Sequence, residues 1–348
     1  MREHRFPYLW NLADGYPAEG IESHGCKVFG TFLCGGGSSM GYKLARYHHM
    51  GGVEIDPKVA DIYRQNHNPE LLYVEDLRLF NERTDLPDEL YQLDVLDGSP
   101  PCSTFSMAGS REDAWGKKKK FAEGQELQTL DDLVFIYCNT IAKLQPKTFI
   151  LENVKGLTLG NAKSYLKRVL GKLDEAGYQC QVFVLNAATM GVPQRRERAF
   201  VIGRRKDLNL PRIELVFTEK PIFFKEVMDK TDVTPDLTEL GWLLFNNKRK
   251  SDHSLGDTSR RVRNKYSQFT QSWYHSDEVC PTLTTNYGIL YDFPRPLNER
   301  EIKLCSAFPL DYKVPTREKM LWLAGMSVPP VMMAQISYQI YVQWLKNM

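Results

Sequence analysis

The sequence of 348 residues has few cysteines, and none of them forms a C-x-x-C pair. The seven cysteines are scattered between residues 26 and 305. This scatter argues against a disulfide framework or a zinc site and favours a reducing compartment. No run approaches the roughly 18 to 20 uncharged apolar residues of a membrane span, and Asp14, Glu19 and Glu22 interrupt any secretory leader. We therefore expect a soluble intracellular protein without a bound metal.

The sequence also lacks a strong net charge. Lys and Arg number 45 against 43 Asp and Glu, and 42% of residues are apolar, which excludes collagen-like and disordered classes. The basic residues are concentrated in 111–120, 194–206 and 248–265, each with a net positive charge. Three such segments are what a polyanion-binding cleft requires. The alternative, that each is a solvated face, stays open on charge alone.

Up to about residue 205, strand-like and helix-like segments alternate. Short runs rich in Val, Ile and Phe, as expected of buried parallel strands, lie at 27–33, 91–97, 147–152 and 180–185. Between them, 130–144 and 166–173 carry apolar residues at helical spacing. The alternation predicts an α/β domain with a doubly wound, mostly parallel sheet, but it does not predict the strand order.

The alternation of strand-like and helix-like segments stops between residues 206 and 294, where prolines, charged residues and aromatic residues mix without sustained periodicity. This predicts a second, smaller and irregular domain. Helical patterning returns at 299–308 and in the last twenty residues. The first 25 residues contain four aromatic side chains, and we expect them to pack on the body of the protein as an arm.

A glycine-rich segment, residues 32–41 (FLCGGGSSMG), directly follows the first predicted strand and opens a predicted helix. Glycines in such a turn let the backbone approach a ligand closely. Glu54 ends the next strand-like segment, where a carboxylate can accept hydrogen bonds from ribose hydroxyls. The pattern predicts a nucleotide-like ligand, but it does not choose between a dinucleotide and S-adenosylmethionine.

Residues 97–106 (DGSPPCSTFS) lie at the carboxyl end of a predicted strand, where open α/β sheets bind their ligands. The two prolines fix φ and stiffen the approach to Cys102. A thiol held there is a candidate nucleophile if its surroundings favour the thiolate. The other six cysteines are interpreted as small buried apolar residues.

Two further motifs follow. Residues 152–154 (ENV) end the next predicted strand, so that Glu152 could donate to a ring nitrogen as a partly protonated acid. Residues 194–198 (QRRER) place arginines at alternate positions, which predicts that they share one face of a strand.

Together these motifs resemble the DNA cytosine-5 methyltransferase family, of the restriction-modification or phage type. The PPC, ENV and QRRER motifs carry the resemblance by their order and spacing. Two later segments, 295–301 (RPLNERE) and 325–330 (GMSVPP), are similar to the family's last motifs. The resemblance covers most of the chain outside the arm and 206–278, and it implies the activity of a DNA (cytosine-5-)-methyltransferase.

For the fold, the resemblance implies a class I S-adenosylmethionine-dependent methyltransferase with a Rossmann-like doubly wound sheet and a smaller irregular target-recognition domain. The implied boundaries are an arm at 1–25, a catalytic and cofactor-binding domain at 26–205 plus 326–348, and the target-recognition domain at 206–325. The implied location is the cytoplasm, in association with the nucleoid if the host is prokaryotic.

The resemblance also implies S-adenosylmethionine as the cofactor. Phe32 would stack on the adenine, Glu54 would hold the ribose and Asp76 would contact the adenine amino group. The other implied pocket residues are Cys34, Gly35, Gly37, Ile55, Leu77, Pro101, Leu133, Ser327 and Val328.

For catalysis, the resemblance implies that the Cys102 thiolate attacks C6 of a cytosine flipped out of the duplex. Glu152 would hydrogen-bond N3 and the exocyclic amine. Arg198 would bind O2, and Arg196 would help to keep the site cationic and so favour the thiolate.

The implied partner is double-stranded DNA and, in a restriction system, a cognate endonuclease that acts separately; no membrane partner is expected. A loop at 103–124 would close on the DNA. The candidate DNA contacts are Ser106, Lys117, Lys118, Lys119, Lys120, Arg260, Arg261, Arg263 and Thr282. Several phosphate contacts would make binding steeply salt-dependent.

The chain departs from the family pattern at several positions. Cys34 replaces a usual Gly and Met326 a usual Asn near the implied cofactor pocket, and Asn298 replaces a usual Thr. Three alternatives stay open: a tRNA-directed cytosine-5 methyltransferase of the same fold, a catalytically inactive DNA-binding relative, and a nicotinamide-dependent oxidoreductase.

Overall fold

The computed structural model describes residues 4–17, 19–101, 132–160, 162–264 and 271–348. By their internal contacts the residues divide into two compact units. The sheet unit comprises Ala18–Asn186, Glu197–Val216 and Met333–Met348, and the second unit comprises Met1–Pro17, Ala187–Arg196 and Phe217–Met332. These units differ from the implied functional domains at 18–25, 187–196, 206–216 and 326–332. The domain boundaries given by the resemblance stay a prediction.

The described strands are β1 Lys27–Thr31, β2 His48–Glu54, β3 Leu71–Val74, β4 Val95–Gly98, β5 Thr148–Val154, β6 Tyr178–Asn186, β7 Gln194–Arg195, β8 Glu197–Arg205, β9 Trp273–Tyr274, β10 Cys280–Pro281 and β11 Ile289–Leu290. The described helices are α1 Gly37–Leu44, α2 Pro57–His67, α3 Leu77–Glu82, α4 Leu133–Leu144, α5 Ala162–Glu175, α6 Glu239–Asn246, α7 Leu255–Arg263, α8 Glu299–Cys305, α9 Arg317–Met326 and α10 Pro330–Ile340.

A single large sheet organises the sheet unit. Among the described residues it has seven strands in the order β3-β2-β1-β4-β5-β8-β6. The first five strands along the chain are parallel, whereas β8 runs antiparallel to both β5 and β6. The expected α/β class with a mostly parallel sheet is therefore confirmed. The reversal of order on either side of β1 and β4 is the kind of position where open sheets bind ligands.

The central strands form because their side chains are apolar on both faces. Phe29 in β1 and Phe149, Ile150 and Leu151 in β5 are fully buried, as parallel strands covered on both sides require. All four predicted strand segments are confirmed as β1, β4, β5 and β6. Strand β4 begins at Val95 rather than at 91, because Asp88–Tyr91 forms a 3-10 turn after Pro87.

The end of β4 packs closely against Tyr137 of α4. The hydroxyl of Tyr137, on α4, donates to the carbonyls of Leu96 and Ile150 at 2.9 and 2.8 Å, and so joins β4 to β5. A Cβ at Gly98 would lie 2.4 Å from the Tyr137 ring. A larger residue at 98 would therefore displace this ring and the bridge that it makes between the strands.

The second unit contains short elements, as its sequence predicts. Its strands have two residues each, and a small core forms around Leu244, Leu255, Trp273 and Ile289. Two aromatic residues of the arm pack in this unit: Phe6 is buried, and Trp10 donates its indole N–H to the Ala307 carbonyl at 3.1 Å. The expected packing of the arm is confirmed for these residues.

The arginines of QRRER do not share one face of one strand, so this expectation was wrong. Strand β7 ends at Arg195 and pairs with β10, whereas β8 begins at Glu197 and pairs with β5 and β6. The break falls at Arg196, the last residue of the second unit before the chain re-enters the sheet unit. Alternation along a strand fails here because the two halves of the motif join different sheets.

One described helical stretch, Arg317–Leu345, meets the length and composition of a membrane span, contrary to the expectation that no such run exists. Of its most apolar window, 83% is buried within the protein. The stretch also contains two separate helices, α9 and α10, with Ser327–Pro329 between them. These features are those of core helices.

Candidate active site

Three buried carboxyl groups stand at the carboxyl ends of β2, β4 and β5. They belong to Glu54, Asp97 and Glu152, each less than 10% exposed. Because these strands are parallel and close to one another in the sheet, their carboxyl ends form one edge. A buried carboxyl group is unfavourable unless it is hydrogen-bonded, paired or protonated. Three of them at one edge therefore mark it as a candidate functional site.

The glycine-rich turn after β1 has left-handed backbone geometry. Phe32, Cys34 and Gly36 have φ angles of 56, 48 and 70°. Left-handed geometry at residues other than glycine carries strain, and such residues cluster at functional sites. A Cβ at Gly36 would lie 2.2 Å from Nε2 of His67. Gly35 is buried in the same turn, and Gly37 begins α1.

Glu54 fastens this turn from the end of β2. One carboxylate oxygen accepts the N–H of Cys34 at 2.8 Å, and the other accepts the N–H of Asp56 at 3.0 Å. Burial raises the pKa of Glu54, and these two hydrogen bonds oppose the rise. A carboxylate has about four acceptor positions, so capacity remains for hydroxyl donors. The departure at Cys34 is tolerated here because its backbone N–H makes the contact.

The remaining residues predicted for the cofactor lie in different settings. Asp76 caps α3, because its carboxylate accepts the Arg78 N–H at 2.8 Å and pairs with the Arg78 guanidinium at 2.9 Å. Phe32, Ile55 and Pro101 are half-buried, and the apolar side chains of Leu77 and Leu133 are buried. Among these, Glu54, Ile55, Asp76 and Leu77 follow or end the neighbouring strands β2 and β3.

The backbone that precedes Cys102 is held by a hydrogen bond from β5. The buried Asn153 donates its side-chain N–H to the Pro100 carbonyl at 3.2 Å, and its oxygen accepts the Val154 N–H. The ends of β4 and β5 are therefore tied together at the second motif. Cys102 itself lies outside the described residues, so its predicted role as nucleophile stays a prediction.

Glu152 and Arg198 form an ion pair on adjacent strands. Nε of Arg198 lies 3.1 Å from Oε1 of Glu152, and both side chains are at most 15% exposed. Burial lowers the pKa of Arg198, and the charge of Glu152 opposes that fall. The pair therefore combines a carboxyl group with a guanidinium donor at the sheet edge that also carries Pro101.

Arg196 lies in different surroundings from Arg198. Its guanidinium donates to the carbonyls of Leu283, Gly325 and Ser327 at 3.2, 2.7 and 3.0 Å, and it is 1% exposed. These contacts favour a role in positioning the 325–327 backbone. Ser327 and Val328, both predicted cofactor residues, are buried in the second unit.

A family model for C-5 cytosine-specific DNA methylases matches residues 27–342. The chain belongs to this family. It is 29% identical to the type II methyltransferase M.Bsp6I of Bacillus sp. over 338 residues, 92% of this chain and 99% of that protein. It is 27% identical to M1.HphI of Haemophilus parahaemolyticus over 332 residues, 88% of this chain and 84% of that protein.

The match to a third relative is shorter. The type II methyltransferase M.FnuDI of Fusobacterium nucleatum is 32% identical over 200 residues, which is 58% of this chain and 52% of that protein. The chain thus spans about half the length of M.FnuDI and nearly all of M.Bsp6I. The family, the methyltransferase class and the restriction-modification relatives agree with the resemblance that the motifs predict.

Solved structures give the same fold. An E. coli chain described as a DNA modification methyltransferase encoded within a prophage has a TM-score of 0.66 at 20% identity, covering 93% of this chain and 100% of that one. A substituted form of Spodoptera frugiperda DNMT2 has a TM-score of 0.61 at 16% identity, covering 91% and 99%. The expected class I methyltransferase fold is confirmed.

The described residues of this C-5 methylase fit S-adenosylmethionine. The donors of that molecule are ribose hydroxyls and amino groups, and its sulfur is cationic. The carboxylates of Glu54 and Asp76, with the half-buried Phe32 at the same sheet edge, are acceptors and an aromatic surface of the matching kind. Asn298 lies where the family usually has Thr. It caps α8 together with Glu301, and both Asn and Thr are suitable residues for a helix N-cap.

The DNA contacts predicted for this C-5 methylase divide into two groups. Ser106 and Lys117 to Lys120 lie outside the described residues. In the second unit, Arg260 and Arg263 are exposed on α7, whereas Arg261 pairs with the buried Asp252. The Thr282 hydroxyl donates to the Arg195 carbonyl at 2.7 Å. Arg261 therefore has a structural partner that the sequence did not indicate.

Asp97 was not among the sequence candidates, although it is buried at the centre of this edge. Its carboxylate accepts a hydrogen bond from Tyr42. A signal was present in the sequence, because an acidic residue inside an otherwise apolar strand is rarely buried without a partner. The partner, 55 residues earlier in the chain, could not be found from spacing.

Proposed function

We propose that this protein is a site-specific DNA (cytosine-5-)-methyltransferase that uses S-adenosylmethionine and acts on double-stranded DNA. The observation that carries the proposal is the buried ion pair between Glu152 and Arg198, 3.1 Å apart, in a chain of the C-5 cytosine-specific family. A cytosine offers N3 and O2 side by side. A carboxyl group and a guanidinium held together match these two atoms.

S-adenosylmethionine, when bound, supplies an electrophilic methyl group. In the proposed step the Cys102 thiolate bonds to C6 of cytosine, and the electron pair of the C5–C6 bond makes C5 the nucleophile. Glu152, in its protonated form, donates a hydrogen bond to N3 and accepts one from the amine, and Arg198 donates to O2, so that negative charge developing on the ring is stabilised. C5 takes the methyl group as the S–CH3 bond breaks and leaves a neutral thioether. Loss of the C5 proton to solvent and departure of the thiolate then restore the ring.

We further propose that the target base leaves the duplex, since a stacked cytosine cannot reach a site at a sheet edge; extrusion costs a few kcal/mol. Arg260, Arg263 and Thr282 of the second unit, together with Ser106 and Lys117 to Lys120, are the proposed DNA contacts. The target-recognition assignment of 206–325, a cytoplasmic, nucleoid-associated location and a separate cognate endonuclease belong to the same proposal.

The test uses the full chain, radiolabelled S-adenosylmethionine and three substrates: unmethylated genomic duplex DNA, the same DNA with pre-methylated cytosines, and bulk tRNA. We expect label at C5 of cytosine in the first substrate, with little in the other two. Transfer to tRNA equal to or above that to DNA would instead support the tRNA-directed alternative. Absence of transfer to every substrate would favour the inactive DNA-binding relative.

A second experiment tests the covalent step. A duplex that contains the mapped target site with 5-fluorocytosine should trap the protein, because fluorine cannot leave C5 as a proton does. Peptide mapping should find the adduct on Cys102, and Cys102→Ser should form none. If the wild-type protein methylates DNA without forming this adduct, the proposed thiolate mechanism is wrong.

A further inference from the structure

Asp97, the residue before the last of β4, has a buried carboxyl group that the proposed reaction does not use. The side chain is 4% exposed, and its Oδ1 accepts the hydroxyl of Tyr42 at 3.2 Å. Ser38, four residues earlier on the same face of α1, is a second hydroxyl that faces this carboxyl group.

This carboxyl group links two parts of the site. Helix α1 directly follows the glycine-rich turn that Glu54 fastens, and β4 leads to Pro100 and Pro101. The backbone at Asp97 is held as well, because the Thr31 hydroxyl of β1 donates to its carbonyl at 3.1 Å. The side chain of Asp97 therefore joins α1 to the strand that carries the second motif.

The charged and titratable groups facing Asp97 come from three described elements. They are Tyr42 on α1, Tyr137 on α4 and Glu152 on β5, and Glu152 is itself paired with Arg198 of β8. Burial, and secondarily the charge of Glu152, raises the pKa of Asp97 to about 7, against the lowering effect of the hydrogen bonds from Tyr42 and Ser38. The charge of this carboxyl group therefore changes near neutral pH.

We propose that Asp97 is a positioning residue whose ionised carboxylate holds α1 against the end of β4 and so strengthens S-adenosylmethionine binding. This inference rests on the proposed function. Ionised acceptors make hydrogen bonds about twice as strong as neutral ones. The contact is consequently tighter above neutral pH than below it.

The test is equilibrium binding of S-adenosylmethionine to the full chain between pH 5.5 and 9, measured by calorimetry without DNA. For the wild-type protein we expect the affinity to rise by about threefold to tenfold across neutral pH, in proportion to the stronger hydrogen bonds. In Asp97→Asn the acceptor oxygen is kept and the titrating charge is removed. Its affinity should vary less than twofold over the same range.

Two further variants should move the midpoint of the wild-type curve in opposite directions. Tyr42→Phe removes a donor that favours the carboxylate, so its midpoint should shift to higher pH. Glu152→Gln removes a repelling charge, so its midpoint should shift to lower pH. Both shifts can be measured even if Asp97→Asn fails to fold, and a merely structural role for Asp97 would produce neither.

The matched control is Asp94→Asn, at the residue that precedes the same strand. The Asp94 carboxylate accepts the Lys27 N–H and pairs with Lys147, both at 2.7 Å, so this variant should keep the pH dependence of the wild type. A pH dependence that persists in Asp97→Asn, or midpoints that do not move in Tyr42→Phe and Glu152→Gln, would overturn the role of Asp97. A wild-type protein that never binds the cofactor would contradict the proposed function as well.

Discussion

Buried charged side chains have different kinds of partners in the two units. In the second unit, the guanidinium of Arg295 makes two hydrogen bonds to the buried Glu301 at 2.7 and 2.9 Å, and Arg196 is bonded to three backbone carbonyls. In the sheet unit, three buried carboxyl groups lie at the strand edge. Glu152 pairs with Arg198, and Glu54 and Asp97 hold segments next to the proposed reactants. The comparison teaches that buried arginines bonded to several groups of the protein hold its architecture, whereas carboxyl groups at a strand edge retain acceptor capacity for ligands.

The comparison predicts that conservative substitutions at the sheet edge have their main effect on activity. Glu152→Gln should reduce methyl transfer by about 100-fold to 10,000-fold, because a positioned acid that also stabilises charge is removed. The measurement is the single-turnover rate with excess protein over DNA. The matched control is Glu197→Gln, an exposed glutamate paired with Lys155, which should remain near the wild-type rate. Comparable losses in both variants would remove the distinction between the two carboxylates.

In the second unit, breaking a saturated pair should affect stability instead. Arg295→Met leaves the Glu301 carboxyl group buried without its guanidinium partner, and the free energy of unfolding should fall by about 3 to 5 kcal/mol. Urea unfolding followed by circular dichroism measures the change. Arg317→Met is the control, because the Arg317–Asp236 pair is much more exposed and should be worth less than about 1 kcal/mol. If the two variants lose equal stability, burial is not the deciding difference.

A smaller effect should appear in the pH dependence of stability. The pKa of Asp97 in the folded protein, about 7, exceeds its ordinary value of 3.8, so the folded state retains a proton that the unfolded chain releases. This contribution to stability is fully present below about pH 4 and is lost as the pH rises through 7. Relative to the wild type, Asp97→Asn should therefore gain up to about 4 kcal/mol between pH 4 and pH 8.

Urea unfolding of both proteins at several pH values checks this prediction. The raised pKa of Glu54 acts in the same direction, but it is common to both proteins and cancels in the difference. A difference in unfolding free energy that is constant with pH would show that Asp97 is already ionised in the folded protein at pH 4.

The smallest expected effects concern the surface of α7. Arg263→Ala should leave stability unchanged and reduce the slope of log affinity against log salt concentration for DNA by about 1. Arg261→Ala should instead reduce stability, because it leaves the buried Asp252 without its cationic partner. Fluorescence anisotropy across a salt series and urea unfolding separate the two. Equal salt slopes in Arg263→Ala and the wild type would remove Arg263 from the DNA contacts.

Much of the sheet unit could be predicted because its signals are local. Runs such as those that became β1 and β5 are continuous and apolar, and α4 and α5 have apolar stripes at helical spacing. The candidate Glu54 could be predicted for the same reason, since its place at the end of β2 follows from the strand itself. Its hydrogen bond to Cys34 could not, because the turn geometry depends on left-handed residues that the sequence does not mark.

Longer-range features were missed or wrong. The arginines 196 and 198 look equivalent in a strand pattern, yet one is bonded to carbonyls from 283 to 327 and the other to Glu152. The apolar stretch at 317–345 was missed for a different reason. Its hydropathy is that of a membrane span, and only its burial within the protein identifies it as core helices. In each case the deciding contact lies far along the chain.

The amino-acid sequence by itself determined the α/β class, the glycine-rich turn, and the order of motifs that marks the C-5 methylase family, because each depends on neighbouring residues or on spacing. The tertiary structure decided which buried charges meet: Glu152 with Arg198, Asp97 with Tyr42, and Arg295 with Glu301. The physical reason is that the energy of a buried charge depends on its partner and on its removal from water. Both are settled only when distant strands and helices pack together.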